Sequence, residues 1–552
     1  MPGIAVLRSY QRSSLPRDLI AGLVLTTLLV PQGMAYAELA GLPTITGLYT
    51  TMLCLVAYAI FGPSRILVLG PDSSLGPMIA ASILPLIAAN GDPEQAVALA
   101  SMLAIIVGVI TIGVGIARLG FVADLLSKPA QIGYLTGLAA TIFIGQLPKL
   151  FGFSTDADGF IPEIRAFLHG VADGKTVPAA LILGVSGMVL ILALQHWLPT
   201  VPSLLVTVIA SIVVVWAFSL ADHGVSVVGV LPRGLPVPTL PDVSWSDLPP
   251  LLGGAAGIAL VALTDTISTS TAFAAKRKDV VDSNQEMIGI GAANVAAGLF
   301  QGFPVSTSGS RTAVAERAGA RTQVTGLVGA ALVALMLVLV PGLLRNLAQP
   351  ILAAIVITAS MSLADVPGLH RLWRVRRMEF WVALVAVLGV ALLGVLAGIG
   401  IAVGLSILNV FRRAWWPYST TLGEVPELDG LHDVHSYPDA FTPPGVLIYR
   451  FDAPLIFANS RSFTETIRGL LRESAGIHHL IVAAGAINDI DITAADTIAG
   501  LAQELRAQGV AMDFAELKDP VRSKLRRGVP NIDELTRFYP TIESAIEATA
   551  AV

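Results

Sequence analysis

Between residues 18 and 411 the chain returns repeatedly to apolar stretches long enough to cross a bilayer or to reach its middle. A full helical span takes about 20 apolar residues, and a helix broken halfway takes fewer. Candidate spans fall near 18–36, 43–61, 71–88, 94–116, 129–148, 177–196, 201–220, 249–273, 285–301, 310–319, 322–345, 348–363, 379–394 and 396–411. Composition agrees, with only 13% charged residues against roughly 25% in soluble proteins, and a mean hydropathy of +0.75. The expectation is an α-helical polytopic membrane protein with 14 spans, several of them short.

An even number of spans places both termini on one side. The loops on that side hold Arg65, Arg118, Lys128, Lys276, Arg277, Lys278, Arg317, Arg321 and the cluster Arg371, Arg374, Arg376 and Arg377. The opposite loops hold little beyond Lys149, Arg165, Lys175, Arg233 and Arg345. Positive charge marks the cytoplasmic side, so both termini are expected there, in a multi-pass protein of the inner or plasma membrane. Arg8, Arg12 and Arg17 precede the first span, and no short apolar run with a cleavage site follows, so that span reads as retained.

Beyond residue 423 the character changes, with 11 Lys+Arg against 19 Asp+Glu, compared with 23 and 20 before it. Strand patterns at 446–451, 479–484 and 510–514 alternate with helical patterns at 462–473 and 493–508, which implies a small α/β domain. The expected organisation is a cytoplasmic N-terminus (1–17), a first membrane repeat (18–220), an extracytoplasmic loop (221–248), a second membrane repeat (249–413), a linker (414–440) and the α/β domain (441–552). Cys54 is the single cysteine, which excludes an intrachain disulfide, and the eight histidines show no metal-ligand spacing. Neither a nucleophile–base pair nor a metal cluster suggests an enzyme, and no cofactor or nucleic-acid partner is expected.

Two segments break the apolar pattern in the same way. Val68-Leu69-Gly70-Pro71-Asp72-Ser73-Ser74 and Gly302-Phe303-Pro304-Val305-Ser306-Thr307-Ser308-Gly309-Ser310-Arg311 are Gly/Pro-interrupted and rich in hydroxyls. Each follows a polar break in an apolar segment, Pro31-Gln32 before the first and Thr264-Asp265 before the second, at separations of 40 and 41 residues. Interrupted segments at corresponding positions of two halves point to the midplane site of a secondary transporter. Seven spans per half is odd, so the second half enters the membrane upside-down, as a 7+7 inverted repeat with two half-helix spans. Pro71 and Ser308–Ser310 are each expected to start a half-helix whose N-terminus faces the other.

A helix N-terminus offers free N–H donors and roughly half a positive charge, so an anion held between two of them needs few side chains. Arg311 adds a full charge, and Ser73, Ser74, Ser308 and Ser310 add hydroxyls, although serines here also read as helix caps. A buried arginine in a span is costly unless paired or lining a cavity, so Arg311 is a substrate contact or the ion-pair partner of Asp265. Gln32 and Tyr36, one turn apart, place an amide and an aromatic at the facing site, and Tyr36 reads equally as packing. Asp265, deep in its span, is a candidate for cation coupling, as a proton carrier or as a Na+ ligand with Thr264, Thr266 and Ser268 as auxiliary oxygens.

Pro31-Gln32-Gly33-Met34-Ala35-Tyr36-Ala37, followed by Leu39-Ala40-Gly41-Leu42-Pro43 and Gly47-Leu48-Tyr49, resembles the signature of the sulfate permease (SulP) family of anion transporters. Gly62-Pro63-Ser64-Arg65, Gly70-Pro71 and Ser310-Arg311 match as well, and Asp489-Ile490-Asp491-Ile492-Thr493-Ala494 resembles a STAS domain. The resemblance implies a mobile core moving against a gate, elevator-fashion, usually in a homodimer. It also implies anion contacts at Gln32, Tyr36, the backbone around Ser73-Ser74, and Ser310-Arg311, with Asp265 at the acidic position tied to cation coupling. Anti-sigma antagonists are phosphorylated on a serine directly after the aspartate, where this chain has Ile492. The domain is therefore expected to serve assembly or contact with a cytoplasmic partner.

The expected function is secondary active uptake of sulfate, or a similar oxyanion, with a proton. A C4-dicarboxylate such as fumarate is the rival substrate, followed by bicarbonate with Na+. An uncoupled anion channel or a voltage-responsive motor is the alternative class, and Asp265 argues against it. A membrane scaffold would not need Arg311.

Overall fold

The computed structural model describes residues 2–8, 10–87, 92–155, 157, 159–199, 201–277, 279–426, 428–474 and 476–550. Lys278, counted above among the basic loop residues, lies outside them. The chain forms two compact units, Met1–Ser406 and Ile407–Val552.

Fourteen helices account for the fourteen apolar stretches. They are α1 (Leu15–Leu39), α2 (Thr44–Phe61), α3 (Gly76–Ile83), α4 (Pro93–Ile116), α5 (Lys128–Leu150), α6 (Pro178–Trp197), α7 (Ser203–Ala217), α8 (Leu248–Arg277), α9 (Ser283–Leu299), α10 (Gly309–Arg317), α11 (Val324–Leu339), α12 (Gln349–Met361), α13 (Arg377–Leu393) and α14 (Val395–Trp415). Their starts follow local chemistry. Asp92 caps α4 by accepting from Glu94 N, and Asp282 caps α9 by accepting from Asn284 N and Gln285 N. Proline occupies the first turn of α1, α3, α4, α5, α6 and α12, where its missing N–H costs nothing. Two amphipathic helices, Phe160–Ala172 and Val366–Val375, lie outside the predicted spans.

Packing repeats when each helix is exchanged for the one seven places on. The pair α1–α11 has its counterpart in α8–α4, α1–α10 in α8–α3, α5–α13 in α12–α6, and α4–α9 in α11–α2. Between the halves runs a two-residue antiparallel ladder, β1 (Leu69–Gly70) with β2 (Ser306–Thr307), in the register Leu69 to Thr307 and Gly70 to Ser306. One prediction needs correction here. Pro71 does not start α3; the turn Asp72–Leu75 intervenes, and the helix begins at Gly76.

Buried charge in this unit is matched by donors. Asp18, fully buried in the first turn of α1, accepts from Arg321 N at 2.7 Å, Thr322 N at 3.2 Å, and the hydroxyls of Thr322, Thr325 and Tyr10. These bonds fasten the start of α1 to the start of α11, as an internal carboxylate requires.

In the second unit a six-stranded sheet has the order β4 (Leu431–Asp433), β3 (Ser419–Glu424), β5 (Val446–Phe451), β6 (His479–Ala483), β7 (Ala511–Ala515), β8 (Phe538–Tyr539). Strands β5 to β8 are parallel, and β3 is antiparallel to both its neighbours. One face packs Tyr449, Phe451 and Phe463 edge to face, with centroids 5.3–5.6 Å apart where Phe463 meets the other two. The other face packs Ile448, Ile481 and Ala515 against Ile542 and Ala545. Residues 414–440, expected as a linker, contribute β3 and β4 to this sheet.

Candidate functional site

The β1–β2 ladder is irregular backbone inside a helical bundle, and the neighbouring side chains satisfy its polar groups, as such backbone demands. Asn294, fully buried on α9, accepts from Val305 N at 2.9 Å and donates to Val305 O at 3.1 Å. Thr50 on α2 accepts from Phe303 N, Ser101 on α4 donates to Gly302 O, and Thr312 on α10 accepts from Val68 N. Gln323 donates to the carbonyls of Ser64 and Leu67. These bonds hold both crossovers, the segments 62–75 leading into α3 and 300–308 leading into α10.

Beyond the ladder a cavity of about 560 Å³ opens. It gathers Gln32 and Tyr36 from α1, Ser73 and Ser74 from the first crossover, Ser308 and Ser310 from the second, and Asp265 from α8. Ser308 caps α10, accepting from Arg311 N at 3.4 Å, and its hydroxyl lies 3.1 Å from that of Ser310. Two atoms on this wall, Gln32 Oε1 and Thr307 Oγ1, are buried without a hydrogen-bond partner. Unpaired buried polar atoms are costly.

Arg311 does not line the cavity surface. It is fully buried, and its Nη2 donates to Pro71 O at 2.5 Å, so the second crossover grips the backbone of the first. Its Nε and Nη1 have no partner among the described residues. The fit depends on Gly70, since a Cβ there would lie 2.5 Å from Arg311 Nη1. Among the described residues no ion pair joins Arg311 to Asp265. The guanidinium lies behind the cavity wall.

Asp265 faces Ser74, whose hydroxyl lies 3.3 Å from Asp265 Oδ2. Thr264 and Thr266, expected beside it as cation ligands, do not line the cavity. Thr264 donates to Leu260 O and lies 3.2 Å from Ala123 O, while Thr266, fully buried, donates to Ala262 O. The reason is helical spacing: 265, 268 and 269 share one face, whereas 264 and 266 turn away from it. Ser268 and Thr269 do line the cavity. Thr269, Thr307 and Thr358 were not anticipated as lining residues, and neither was Asp72. Thr269 follows from the same i,i+4 rule, and Asp72 stood in plain view inside the first crossover.

Asp72 organises that crossover. Its Oδ2 accepts from Ser74 N at 3.0 Å and from Ser74 Oγ at 2.6 Å, and its carbonyl accepts from Leu75 N and Gly76 N. Among the described residues, no group of His, Cys, Asp and Glu side chains is arranged to hold a metal.

In the second unit, Asp491 caps the helix Ile492–Ala507 through Ala494 N and also accepts from Phe457 N at 2.7 Å. Lys524, 2.6 Å away, together with Ile490 N–H holds the Asp489 carboxyl below its ordinary range. Ile492 is 76% exposed.

Comparison with known proteins gives consistent matches. Residues 15–386 match the sulfate permease family and residues 437–545 match the STAS domain. A probable sulfate transporter of Mycobacterium tuberculosis is 38% identical over 550 residues, covering 99% of this chain and 97% of the relative. The murine Solute Carrier 26 family member A9 anion transporter, in the inward-facing state, aligns with a TM-score of 0.90 at 24% identity, over 100% of this chain and 94% of its own. The transmembrane domain of a cyanobacterial bicarbonate transporter aligns with a TM-score of 0.63 at 23% identity, over 72% of this chain and 99% of that domain.

Proposed function

The chain belongs to the sulfate permease family, and on that premise we propose that it is a secondary active transporter taking up sulfate, or a similar oxyanion, together with a proton. As a member it is a helical multi-pass membrane protein with a C-terminal STAS domain, and it moves anions rather than catalysing a reaction. Sulfate is favoured by the name borne by the M. tuberculosis relative and by the charge of the site.

One observation carries the reading. The first turn of α10 and the turn that leads into α3 meet at a single cavity, backed by a buried arginine two of whose donors have no partner among the described residues. Two helix ends and one guanidinium sum to about +2. Asp72 and Asp265, when both ionised, cancel that charge. The site therefore suits a dianion only when a cation arrives with it, which argues for coupled transport over a channel. Asp265, facing Ser74 at the cavity wall, is the principal candidate for carrying that cation.

The fourteen helices are taken as fourteen crossings in an inverted repeat, with both termini cytoplasmic. The packing exchange between the halves and the α1–α4 and α8–α11 contacts around the cavity support this reading. Transport is then an elevator motion of that core against α5–α7 and α12–α14, in a homodimer, with the STAS domain serving assembly or partner contact. A second reading, a C4-dicarboxylate as cargo, rests on the cavity's size, since about 560 Å³ exceeds what a tetrahedral oxyanion needs.

Radiolabelled sulfate uptake into proteoliposomes, with and without an inward proton gradient, tests the proposal. Gradient-stimulated uptake that resists unlabelled fumarate and bicarbonate is the expected result. Accumulation of labelled fumarate or bicarbonate in the absence of sulfate flux would overturn the substrate and leave the site.

A further inference from the structure

Ser74 stands between two carboxylates. Its Oγ is 2.6 Å from Asp72 Oδ2 and 3.3 Å from Asp265 Oδ2. A serine hydroxyl has one proton to donate and lone pairs with which to accept. The short contact commits that proton to Asp72, whose Oδ2 also takes Ser74 N–H and is therefore the acceptor. Asp265 Oδ2 then faces a lone pair of Ser74, a repulsive contact unless Asp265 itself carries a proton and donates it. We propose that Asp72 and Asp265 share one proton through Ser74, so that Asp72 is a second coupling residue of the transporter. This rests on the proton-coupled reading above.

The transfer balances without an added reactant. In one arrangement Asp265–OH donates to Ser74 Oγ, which donates to the Asp72 carboxylate. In the other, the Asp265 proton has passed to Ser74 Oγ, and the original Ser74 proton has passed to Asp72. One proton has moved from the α8 carboxyl to the first-crossover carboxyl, and the total charge is unchanged.

A feature outside the pair points to the same place. The Tyr134 hydroxyl, on α5, is fully buried, has no hydrogen-bond partner among the described residues, and lies within electrostatic reach of both carboxyl groups. Among the described residues, Lys128 also interacts electrostatically with Asp265, and Tyr36 and Arg311 interact with the Asp72 side of the pair. Arg311 binds Pro71 O and pairs with neither carboxylate, so its charge remains available to the anion. The arrangement explains coupling. Ser73 and Ser74 line the cavity beside both acids, so an anion there binds better when the pair holds its proton, and the proton binds better when the anion is present. Linkage through one proton makes the anion's apparent affinity change about tenfold per pH unit on the alkaline side of the profile.

The rival account is that Asp72 only caps the turn before α3. Asp72→Asn separates the two, because asparagine keeps the acceptor for Ser74 N–H and loses the titratable oxygen. In proteoliposomes carrying the full chain, sulfate uptake is measured against pH with internal acidification recorded at the same time. The proposal predicts that Asp72→Asn moves the half-maximal pH by about one unit or more. Ser74→Ala, which keeps both acids and removes the bridge, should move it as well, and Ser74→Thr should restore it. Should Asp72→Asn fail to fold, the two Ser74 variants decide the question. Wild-type profiles in Asp72→Asn, or in Ser74→Ala, would overturn the shared proton. Absence of sulfate flux or of acidification in the wild-type protein would instead bring down the transport reading, and the shared proton with it.

Discussion

The two crossovers follow one plan and differ in charge and in the length of their turns. In the first, five residues separate β1 from α3, and they include the acid Asp72 and Ser74, which faces Asp265. In the second, the single residue Ser308 separates β2 from α10, whose first turn carries Arg311. The longer turn brings an acid and hydroxyls to the cavity wall. The shorter one sends an arginine behind it, to grip Pro71 of its counterpart. A repeated scaffold can thus divide one site into a cation side and an anion side. Under the proposed function the anion would meet the first turn of α10 and the buried guanidinium, and the co-transported cation would meet Asp72, Ser74 and Asp265.

The comparison breaks most visibly at Arg311. Arg311→Ala should lower sulfate uptake, as kcat/KM, about 100-fold or more, equivalent to roughly 2.7 kcal/mol, while the protein still inserts and elutes as a folded species. Wild-type rates in that variant would remove the anion side from the account. Next in size is the glycine pair. Gly70→Ala places a Cβ 2.5 Å from Arg311 Nη1 and should cost about tenfold in uptake with a fall in melting temperature, whereas at Gly309, which lines the cavity, the nearest atom would be 3.9 Å away, and Gly309→Ala should leave the melting temperature unchanged. Equal falls in melting temperature would contradict the asymmetry.

A smaller effect concerns how the second crossover is held. Asn294→Ala strands both polar groups of Val305, and should lower stability by about 1–3 kcal/mol, read as a fall in the detergent-solubilised protein's melting temperature. Smallest is Thr266→Val, which removes a hydroxyl bonded to Ala262 O away from the cavity, and whose uptake should stay within about twofold of wild type in proton or Na+ gradients. A Na+-selective loss in that variant would restore Thr266 as a cation ligand.

Much of this was legible in the sequence for stated reasons. Gly, Pro and hydroxyl residues inside apolar stretches marked both crossovers, because only a protein-lined cavity tolerates such backbone at membrane depth. Asp265 stood out for the same reason. What stayed hidden was direction. A charge in a half-helix reads as a cavity contact, yet Arg311 turns back onto Pro71 through a ladder that pairs residues 236 or more positions apart. The neighbours of Asp265 in sequence, Thr264 and Thr266, were grouped with it by proximity, although helical spacing puts Ser268 and Thr269 on its face. Asp72 was obscured by the search for groups that attract an anion. At the C-terminal end the short polar strands Ser419–Glu424 and Leu431–Asp433 resembled a linker, because what makes them strands is pairing, of the first with β5 and of the second with the first, rather than a pattern of their own.

The central claim is that the transported anion sits between the two crossovers. Selenate, a tetrahedral dianion with an anomalous scatterer, tests it directly in crystals of the full chain. The account predicts one selenium peak in the cavity between Ser73–Ser74 and Ser308–Ser310, lost in Arg311→Ala. A selenium site elsewhere in the membrane unit, or a cavity peak undiminished in Arg311→Ala, would contradict it.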